Sequence, residues 1–256
     1  MPQVPPPFPD PFFGQYGNEP VAWDASTGRF DASVYHRVFR GIPTRRQFSV
    51  WSRNGFATLL RLGAGSGPAL SGTISNTTRS ASGYIQTWTT AASINAVAGN
   101  LLMDSEAQVV RGQNPRCMLR IQASASTTDL RIFAGLGDTQ LGSTDTPNCQ
   151  AAYFRYSTSA SDAGWVCVTN GGASRTVSSS VRSYTASEYL LMGIDYEDSA
   201  TARFWMGTSE SDMAVVHTAT ANLPNIASAT TLVAGVGAVT ANAREMGFGH
   251  GYLLMH

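Results

Sequence analysis

The stretch EYLLMGIDYEDSATARFWMG, residues 188–207, decides the fold class of this chain. Successive residues of a strand point to opposite sides, and one face of the first half carries only apolar or aromatic side chains. The members of that face are Leu190, Met192, Ile194 and Tyr196. The second half repeats the pattern, with Ala202, Phe204 and Met206 on one face and Arg203 and Trp205 on the other. The acidic and small residues between the halves are typical of a turn. The stretch therefore predicts two half-buried β-strands.

Short β-rich runs of the same kind, separated by Gly, Ser, Asn and Asp, continue from about residue 63 to the end of the chain. Their spacing is that of a β-sandwich. The predicted strands are residues 84–90, 108–111, 117–123, 129–136, 151–157, 165–169, 175–179, 189–196, 202–206, 214–218, 231–236 and 245–254. Residues 92–103 are apolar enough for one short helix, and no other run has a helical period. The predicted fold class is all-β.

The composition limits the partners that the chain is expected to bind. The chain has 256 residues, only 13% of them charged, and its 17 acidic and 17 basic residues cancel. All the basic residues are arginines. A neutral chain lacks the basic footprint of a nucleic-acid or anionic-lipid binder. No run approaches the roughly 18 apolar residues needed to cross a bilayer, and the N-terminus does not resemble a secretion signal. We expect a soluble product that binds neither nucleic acid nor membrane.

The N-terminal region, residues 1–28, holds most of the chain's 12 prolines and is predicted to be an extended arm. Aromatic side chains are interleaved with the prolines, which is unusual for a disordered spacer. They are Phe8, Phe12, Phe13, Tyr16 and Trp23. Two interpretations remain open. The arm folds back on its own domain, or its aromatic residues anchor in grooves of a neighbouring subunit or partner.

Residues 29–62 form a transitional segment that is rich in arginine, including Arg45 and Arg46. Such a run is either a solvated face or a surface that docks onto an acidic partner. The predicted organisation is therefore an arm at 1–28, the transitional segment at 29–62 and a β-sandwich domain at 63–256.

A succession of elements in the later two thirds of the chain resembles the concanavalin-like (LamG-like) β-sandwich modules of tailed-phage virion proteins. These elements are LRIQASASTTDLRIFAGLGDT (119–139), AAYFRYSTSASDAGWVCVTNGG (151–172), EYLLMGIDYEDSATARFWMG (188–207), HTATANLPN (217–225) and REMGFGHGYLLM (244–255). The resemblance implies two antiparallel sheets in jelly-roll order, in a capsid-decorating, fibre or tail protein of a bacteriophage. Residues 1–62 have no counterpart in it.

A search for catalytic groups gives no positive case. A glycoside hydrolase needs two carboxylates facing one cleft, about 5 to 9.5 Å apart. The densest acidic cluster is Asp195, Glu197 and Asp198, which we interpret as an ordinary turn because acidic residues cap and solvate turns. The four histidines lack metal-ligand spacing, and there is no GxSxG elbow. The sequence predicts no catalytic residue, no cofactor and no enzyme activity.

Acidic residues and cysteines were also considered as sites of metal or thiol chemistry. Asp138, Asp145 and Asp162 lie in turns or loops that could converge on a Ca²⁺ ion, because hard cations take carboxylate and carbonyl oxygens. The three cysteines, Cys117, Cys149 and Cys167, have no CxxC pair, so neither a zinc site nor a disulfide framework is predicted.

Saccharide binding is a function that a β-sandwich can have without a sequence motif, through an exposed aromatic side chain beside polar loops. Trp205 points outward by alternation, and Trp165 begins a return strand. These two are the candidate glycan-binding residues. Trp88, Tyr153 and Tyr184 are further aromatic candidates, and packing in the core or between subunits is the alternative for each.

The sequence as a whole predicts a non-enzymatic virion structural protein. The preferred place is a capsid-decoration (cement) or head-fibre subunit, anchored by its arm to the major capsid protein or to a tail or neck protein. It is expected to be a homo-oligomer, a trimer by analogy, assembled in the host cytoplasm and carried on the virion. A tail-fibre or receptor- and glycan-binding module is the first alternative, and a polysaccharide-degrading enzyme is the second.

Overall fold

The computed structural model describes residues 83–101, 109–139 and 141–255. Before these it describes isolated strands at 15–16, 19–20, 22–24, 29–31, 46–51 and 72–80.

The described residues form twenty strands. In chain order they are β1 (Gln15–Tyr16), β2 (Glu19–Pro20), β3 (Ala22–Asp24), β4 (Arg29–Asp31), β5 (Arg46–Trp51), β6 (Gly72–Ser80), β7 (Gly83–Thr90), β8 (Val97–Leu101), β9 (Val109–Val110), β10 (Arg116–Gln122), β11 (Leu130–Gly137), β12 (Gln150–Ser157), β13 (Gly164–Gly171), β14 (Arg175–Val177), β15 (Arg182–Ser183), β16 (Tyr189–Asp198), β17 (Thr201–Gly207), β18 (Ala214–Ala219), β19 (Ala229–Ala238) and β20 (Glu245–Met255). Two 3₁₀ turns, Arg111–Gln113 and Glu210–Asp212, are the helical elements of this described part.

Two large antiparallel sheets make the jelly-roll β-sandwich. The first has the order β18-β17-β16-β10-β20-β7-β6, and β5 also pairs with β20. The second has the order β14-β13-β12-β11-β19-β8, with β15 beside β13 and β9 beside β19. The strand β5 lies in the transitional segment predicted at 29–62, and it joins the first sheet through the last strand of the chain.

The core lies between the two sheets and is built by the alternation that the sequence shows. Apolar side chains of β10, β16 and β17 meet those of β11, β12, β13 and β19 there. Phe154 of the second sheet contacts Phe204 of the first edge to face, with ring centroids 5.3 Å apart, a favourable geometry for aromatic pairs. Trp165 is fully buried in this core and packs against Tyr156 and Tyr184.

A loop between β11 and β12 covers the outer face of the second sheet. We call the described residues of this loop, 138–139 and 141–149, the strap. Leu141 and Cys149 of the strap are buried in a second apolar cluster, which also contains Phe133, Tyr153 and Val233. The central strands of the second sheet are therefore buried on both faces. This explains why β11, β12, β13 and β19 are buried at nearly every position instead of at alternate ones.

The sequence prediction of an all-β jelly-roll sandwich is confirmed, and each predicted strand overlaps an observed one. The short helix predicted at 92–103 is wrong, because β8 occupies Val97–Leu101 and pairs with β19. The apolar residues of that segment are consecutive because both faces of β8 are buried. A continuous apolar run of this kind does not distinguish a strand from a helix. Among the described residues, no helix has the length and apolar character to cross a membrane.

Candidate functional site

A row of three charged side chains crosses the outer face of the first sheet. The Asp195 carboxylate lies between two guanidinium groups, with its Oδ1 at 2.7 Å from Arg116 Nε and its Oδ2 at 2.5 Å from Arg203 Nη2. The side chains of Arg116 and Asp195 are each only 2% exposed, whereas that of Arg203 is 25% exposed. The row therefore runs from a buried ion pair to a cation at the surface.

Strand register produces this row. Asp195 of β16 is directly opposite Arg116 of β10 on one side and Arg203 of β17 on the other. Cross-strand pairs share one face of a sheet, so all three side chains project outward together. Because a buried charge costs free energy unless it is paired, the two buried members depend on each other. The turn interpretation of Asp195 is therefore wrong, although Asp198 does cap the turn by accepting a hydrogen bond from Ala200 N at 2.8 Å.

An aromatic platform borders this charged row on the same face. Trp205 lies two residues after Arg203 on β17, and the Arg203 guanidinium lies over its ring, 5.7 Å from the centroid. A bulge at this point of the β17–β18 pairing sets Trp205 opposite Val215, which is 42% exposed. We call Trp205, Arg203, Met213 and Val215 the Trp205 platform.

A glycine lies beside Trp205 on the neighbouring strand. Gly193 is directly opposite Trp205 across β16 and β17. A Cβ at Gly193 would lie 3.3 Å from Trp205 Cβ and 3.7 Å from Met213 Cε. A side chain at position 193 would therefore crowd both Trp205 Cβ and Met213, and glycine leaves space for these two residues on the outer face.

The loop that delivers Met213 is fixed by a single carboxylate. Asp212 accepts hydrogen bonds from the backbone N–H and the hydroxyl of both Thr208 and Ser209, at 2.6 to 3.0 Å. Burial raises the pKa of Asp212, but these hydrogen bonds together outweigh burial and hold the pKa far below its usual range. The carboxylate is therefore ionised at neutral pH, and its four hydrogen bonds preorganise this side of the platform.

The indole of Trp205 keeps an unused hydrogen-bond donor. The residue is half-buried, and its Nε1 has no acceptor among the described residues. A shielded donor without an acceptor costs free energy. This N–H is shielded from solvent, so the polar contacts that the platform can offer a ligand come from the partly exposed Arg203.

A second charged cluster holds the strap against the other sheet. The Asp145 carboxylate accepts hydrogen bonds from the Ser157 and Ser159 hydroxyls, both at 2.5 Å, and from Arg131 Nε at 3.1 Å. Burial raises the pKa of Asp145, but the serine hydrogen bonds and the arginine charges together lower it below its usual range. Asp162 forms a bidentate pair with Arg155 at 2.8 and 2.9 Å.

The three acids that the sequence offered as calcium ligands do not share a site. Asp145 and Asp162 are neighbours through Ser157 and Arg155, but arginines already neutralise them. Asp138 lies apart at the start of the strap, where burial raises its pKa. Among the described side chains, no group of three or more metal-ligating residues is found.

The candidate glycan-binding tryptophans are placed very differently. Trp205 lies on an outer face as alternation predicts. Trp165 is 0% exposed in the core, so its assignment to glycan binding is wrong. The polar loop and the return strand in the sequence do not indicate whether Trp165 lies on the inner or the outer face of the sheet. Trp88 and Tyr153 are also buried, and Tyr184 packs on the core, where its hydroxyl donates to Ser124 O at 2.9 Å.

The three cysteines are free and buried. Burial raises the pKa of Cys117 and of Cys149 to about 12, and it raises that of Cys167 as well.

The residues predicted to anchor a partner, in the arm and in the transitional segment, lie mainly outside the described part of the chain. Phe8, Phe12, Phe13 and Arg45 belong to the undescribed residues, and so does the side chain of Glu197. Tyr16, Trp23 and Arg46 are placed through their backbone only, in β1, β3 and β5. Their role in anchoring stays a prediction.

Comparison with known proteins supports the fold and leaves the sequence family open. No family model matches the chain, and no curated protein matches it by sequence. Among solved structures, a protein of unknown function from Shewanella oneidensis MR-1 aligns with a TM-score of 0.59 at 10% identity, over 82% of this chain and 86% of that one. The likeness shows a shared fold. This likeness does not confirm the predicted relationship to virion modules of tailed phages.

Two further structures have names that state an activity. An endo-β-1,4-glucuronan lyase from Trichoderma reesei aligns with a TM-score of 0.49 at 9% identity, over 82% of this chain and 95% of that one. A carbohydrate esterase from the Shiga toxin-encoding bacteriophage phi24B aligns with a TM-score of 0.48 at 11% identity, over 81% and 97%. Other matches are named as a β-glucanase and alginate lyases.

These names correct one prediction. The chain was expected not to be an enzyme, because the sequence shows no familiar catalytic pattern. That expectation is wrong, since the structural neighbours are mostly enzymes and the absence of a motif does not separate this chain from them. At these identities the likeness identifies neither a reaction nor a substrate for this chain.

Proposed function

We propose that the sandwich recognises a saccharide through the Trp205 platform. The observation that carries this proposal is the half-buried indole of Trp205, held on an outer face beside the Arg203–Asp195 pair. A saccharide ring has an apolar face that can lie on an indole and hydroxyl groups that need hydrogen bonds. The platform supplies both kinds of contact.

The charged row gives such a site its polar side. Arg203 is the partly exposed end of the row, and its guanidinium is fixed on one side by Asp195 and on the other by the indole. A guanidinium has five N–H donors, so it can hold Asp195 and still donate to a ligand oxygen. Because the group is already oriented, little side-chain entropy is lost when a ligand binds.

Binding to a panel of bacterial lipopolysaccharides and capsular polysaccharides tests this proposal. We expect retention of at least one polysaccharide by the native chain and a loss of roughly tenfold or more in Trp205→Ala, the order expected for a central aromatic contact. Val177→Ala, which truncates another exposed apolar residue on the second sheet, is the matched control and should bind normally. Equal binding by the native chain and Trp205→Ala would contradict the proposal. Shortened products would show that the chain also cleaves its ligand.

We also propose that the chain is a subunit of a virus particle, as a capsid-decoration or head-fibre protein attached by residues 1–28. This proposal is supported by the sequence of the arm, in which five aromatic residues are interleaved with prolines, and by the order of the sandwich elements. The partner would be a major capsid, tail or neck protein, and the subunit itself a homo-oligomer, a trimer in the simplest case.

Quantitative mass spectrometry of purified particles, combined with deletion of residues 1–28, tests this placement. Hundreds of copies per particle are expected for a capsid lattice, and a few to some tens for a tail or fibre. The deleted chain should keep its circular dichroism spectrum and fail to attach. Attachment without the arm would exclude the anchoring role, and absence of the chain from particles would exclude the placement.

A further inference from the structure

A polar groove lies at one end of the second sheet, remote in sequence from the Trp205 platform. Its two walls are the end of the strap, at 146–148, and the turn between β13 and β14, at 170–175. The groove has a volume of about 440 Å³ and is lined by Thr146, Pro147, Asn148, Asn170, Gly172, Ala173, Ser174 and Arg175. This volume falls within the roughly 300 to 1,000 Å³ of small-molecule sites.

Two side chains tie the walls together. Asn170, 1% exposed, donates from Nδ2 to Pro147 O at 2.8 Å and accepts from Gly172 N through Oδ1 at 2.9 Å. Arg175 donates from Nη1 to Asp145 O at 3.1 Å. Gly172 has a φ of +91°, which favours glycine at this turn. The groove is therefore formed before any ligand arrives.

Among the described residues, Arg175 is the one cation of the groove lining, and no described carboxylate pairs with it. Arg175 is exposed, and the group it contacts is a backbone carbonyl. The nearby Asp145 carboxylate is occupied by Arg131, Ser157 and Ser159. The guanidinium of Arg175 therefore keeps most of its donors and its charge for an anionic ligand group.

The remaining lining is neutral and hydrogen-bonding. Thr146, Asn148 and Ser174 are exposed and offer hydroxyl and amide groups. One fixed guanidinium among several neutral groups matches a ligand with one carboxylate and several hydroxyls.

We propose that this groove binds the carboxylate-bearing unit of an acidic saccharide, a hexuronate. Arg175 takes the carboxylate as a two-point pair, and the hydroxyl and amide groups of the walls take the sugar hydroxyls. A phosphate dianion would call for more than one cation, and the groove lining has only Arg175. This site is separate from the Trp205 platform, so its test does not depend on the function proposed for that platform.

Titration of the full chain with sodium glucuronate, followed by isothermal calorimetry or NMR, tests the proposal. We expect saturable binding in the millimolar range that is usual for one sugar unit, with glucose clearly weaker. Arg175→Gln should weaken glucuronate binding roughly tenfold or more, because a charge-assisted pair is lost. Ala173→Tyr should block the groove. Circular dichroism confirms that both variants are folded.

Ile94→Ala, which truncates an exposed residue outside the groove lining, is the control variant and should bind glucuronate as the native chain does. Three results would overturn the proposal: no saturable glucuronate binding, equal binding of glucose and glucuronate, or unchanged binding in Arg175→Gln. Competition by sodium acetate as strong as that by glucuronate would overturn the saccharide assignment, because only the carboxylate would then be recognised.

Discussion

The buried ion pair between Asp195 and Arg116 makes the stability of the sandwich depend on one carboxylate. In Asp195→Asn, Arg116 loses the carboxylate at 2.7 Å while it stays 2% exposed. Breaking a buried pair by removing one partner costs about 3 to 5 kcal/mol. The Arg203 pair adds about 1 kcal/mol at most, because that side chain is 25% exposed. The expected loss is therefore about 3 to 5 kcal/mol, a large part of the roughly 5 to 15 kcal/mol that stabilises a domain.

Equilibrium unfolding in urea, with thermal unfolding beside it, measures this loss. For a domain of this size, each kcal/mol shifts Tm by about 2 to 4 °C, so Asp195→Asn should unfold about 6 to 20 °C below the native chain. Glu188→Gln is the matched control. It breaks the more exposed Arg182–Glu188 pair, whose side chains are 33% and 16% exposed, and should cost about 1 kcal/mol or less. A loss below about 1 kcal/mol in Asp195→Asn would refute the reasoning.

The double variant Arg116→Met with Asp195→Leu separates pairing from packing. Apolar residues of similar size remove both charges together, and replacing a buried pair in this way is often neutral or stabilising. We expect the double variant to recover most of the stability lost in Asp195→Asn. A double variant as unstable as the single one would show that the pair is needed for another reason.

Three further predictions concern the strap and the thiols. Asp145→Asn should cost about 1 to 3 kcal/mol in urea unfolding at neutral pH. Because the folded pKa of Asp145 is lowered, its stabilisation is present above the usual pKa of about 3.9 and lost as pH falls through the lowered value, so the cost should shrink in acid. A cost that does not change with pH would contradict this. Gly142→Ala should destabilise by more than about 1 kcal/mol, because Gly142 has a φ of +106° and a Cβ there would overlap the Phe133 ring; an unchanged Tm would contradict it. Cys149 should react with a thiol reagent far more slowly in the folded than in the unfolded chain, because burial raises its pKa to about 12; equal rates would contradict the placement.

The strands could be predicted because local alternation carries the information. In β16 and β17 the inward residues are apolar at every second position, and the structure places them in the core. In β8 the same reasoning failed. Both faces of β8 are buried, so Ala96, Val97 and Ala98 follow one another without a period that separates strand from helix.

The site was only partly predictable, because it depends on register between strands distant in sequence. Alternation places Trp205 and Arg203 on an outer face. The pairing of Asp195 with Arg116 joins strands about 80 residues apart, and no local pattern encodes it. For Trp165, the local sequence gives an aromatic residue after a polar loop but not the face it occupies.

The most direct test of the central claim is the indole N–H region of a ¹H–¹⁵N NMR spectrum during saccharide titration. The chain has five tryptophans, and the Trp205 signal is identified by its loss in Trp205→Phe. With the polysaccharide fragment retained in the binding panel, we predict that the Trp205 signal shifts in a saturable way while the buried Trp165 signal stays in place. Binding that leaves the Trp205 signal unmoved would contradict the account.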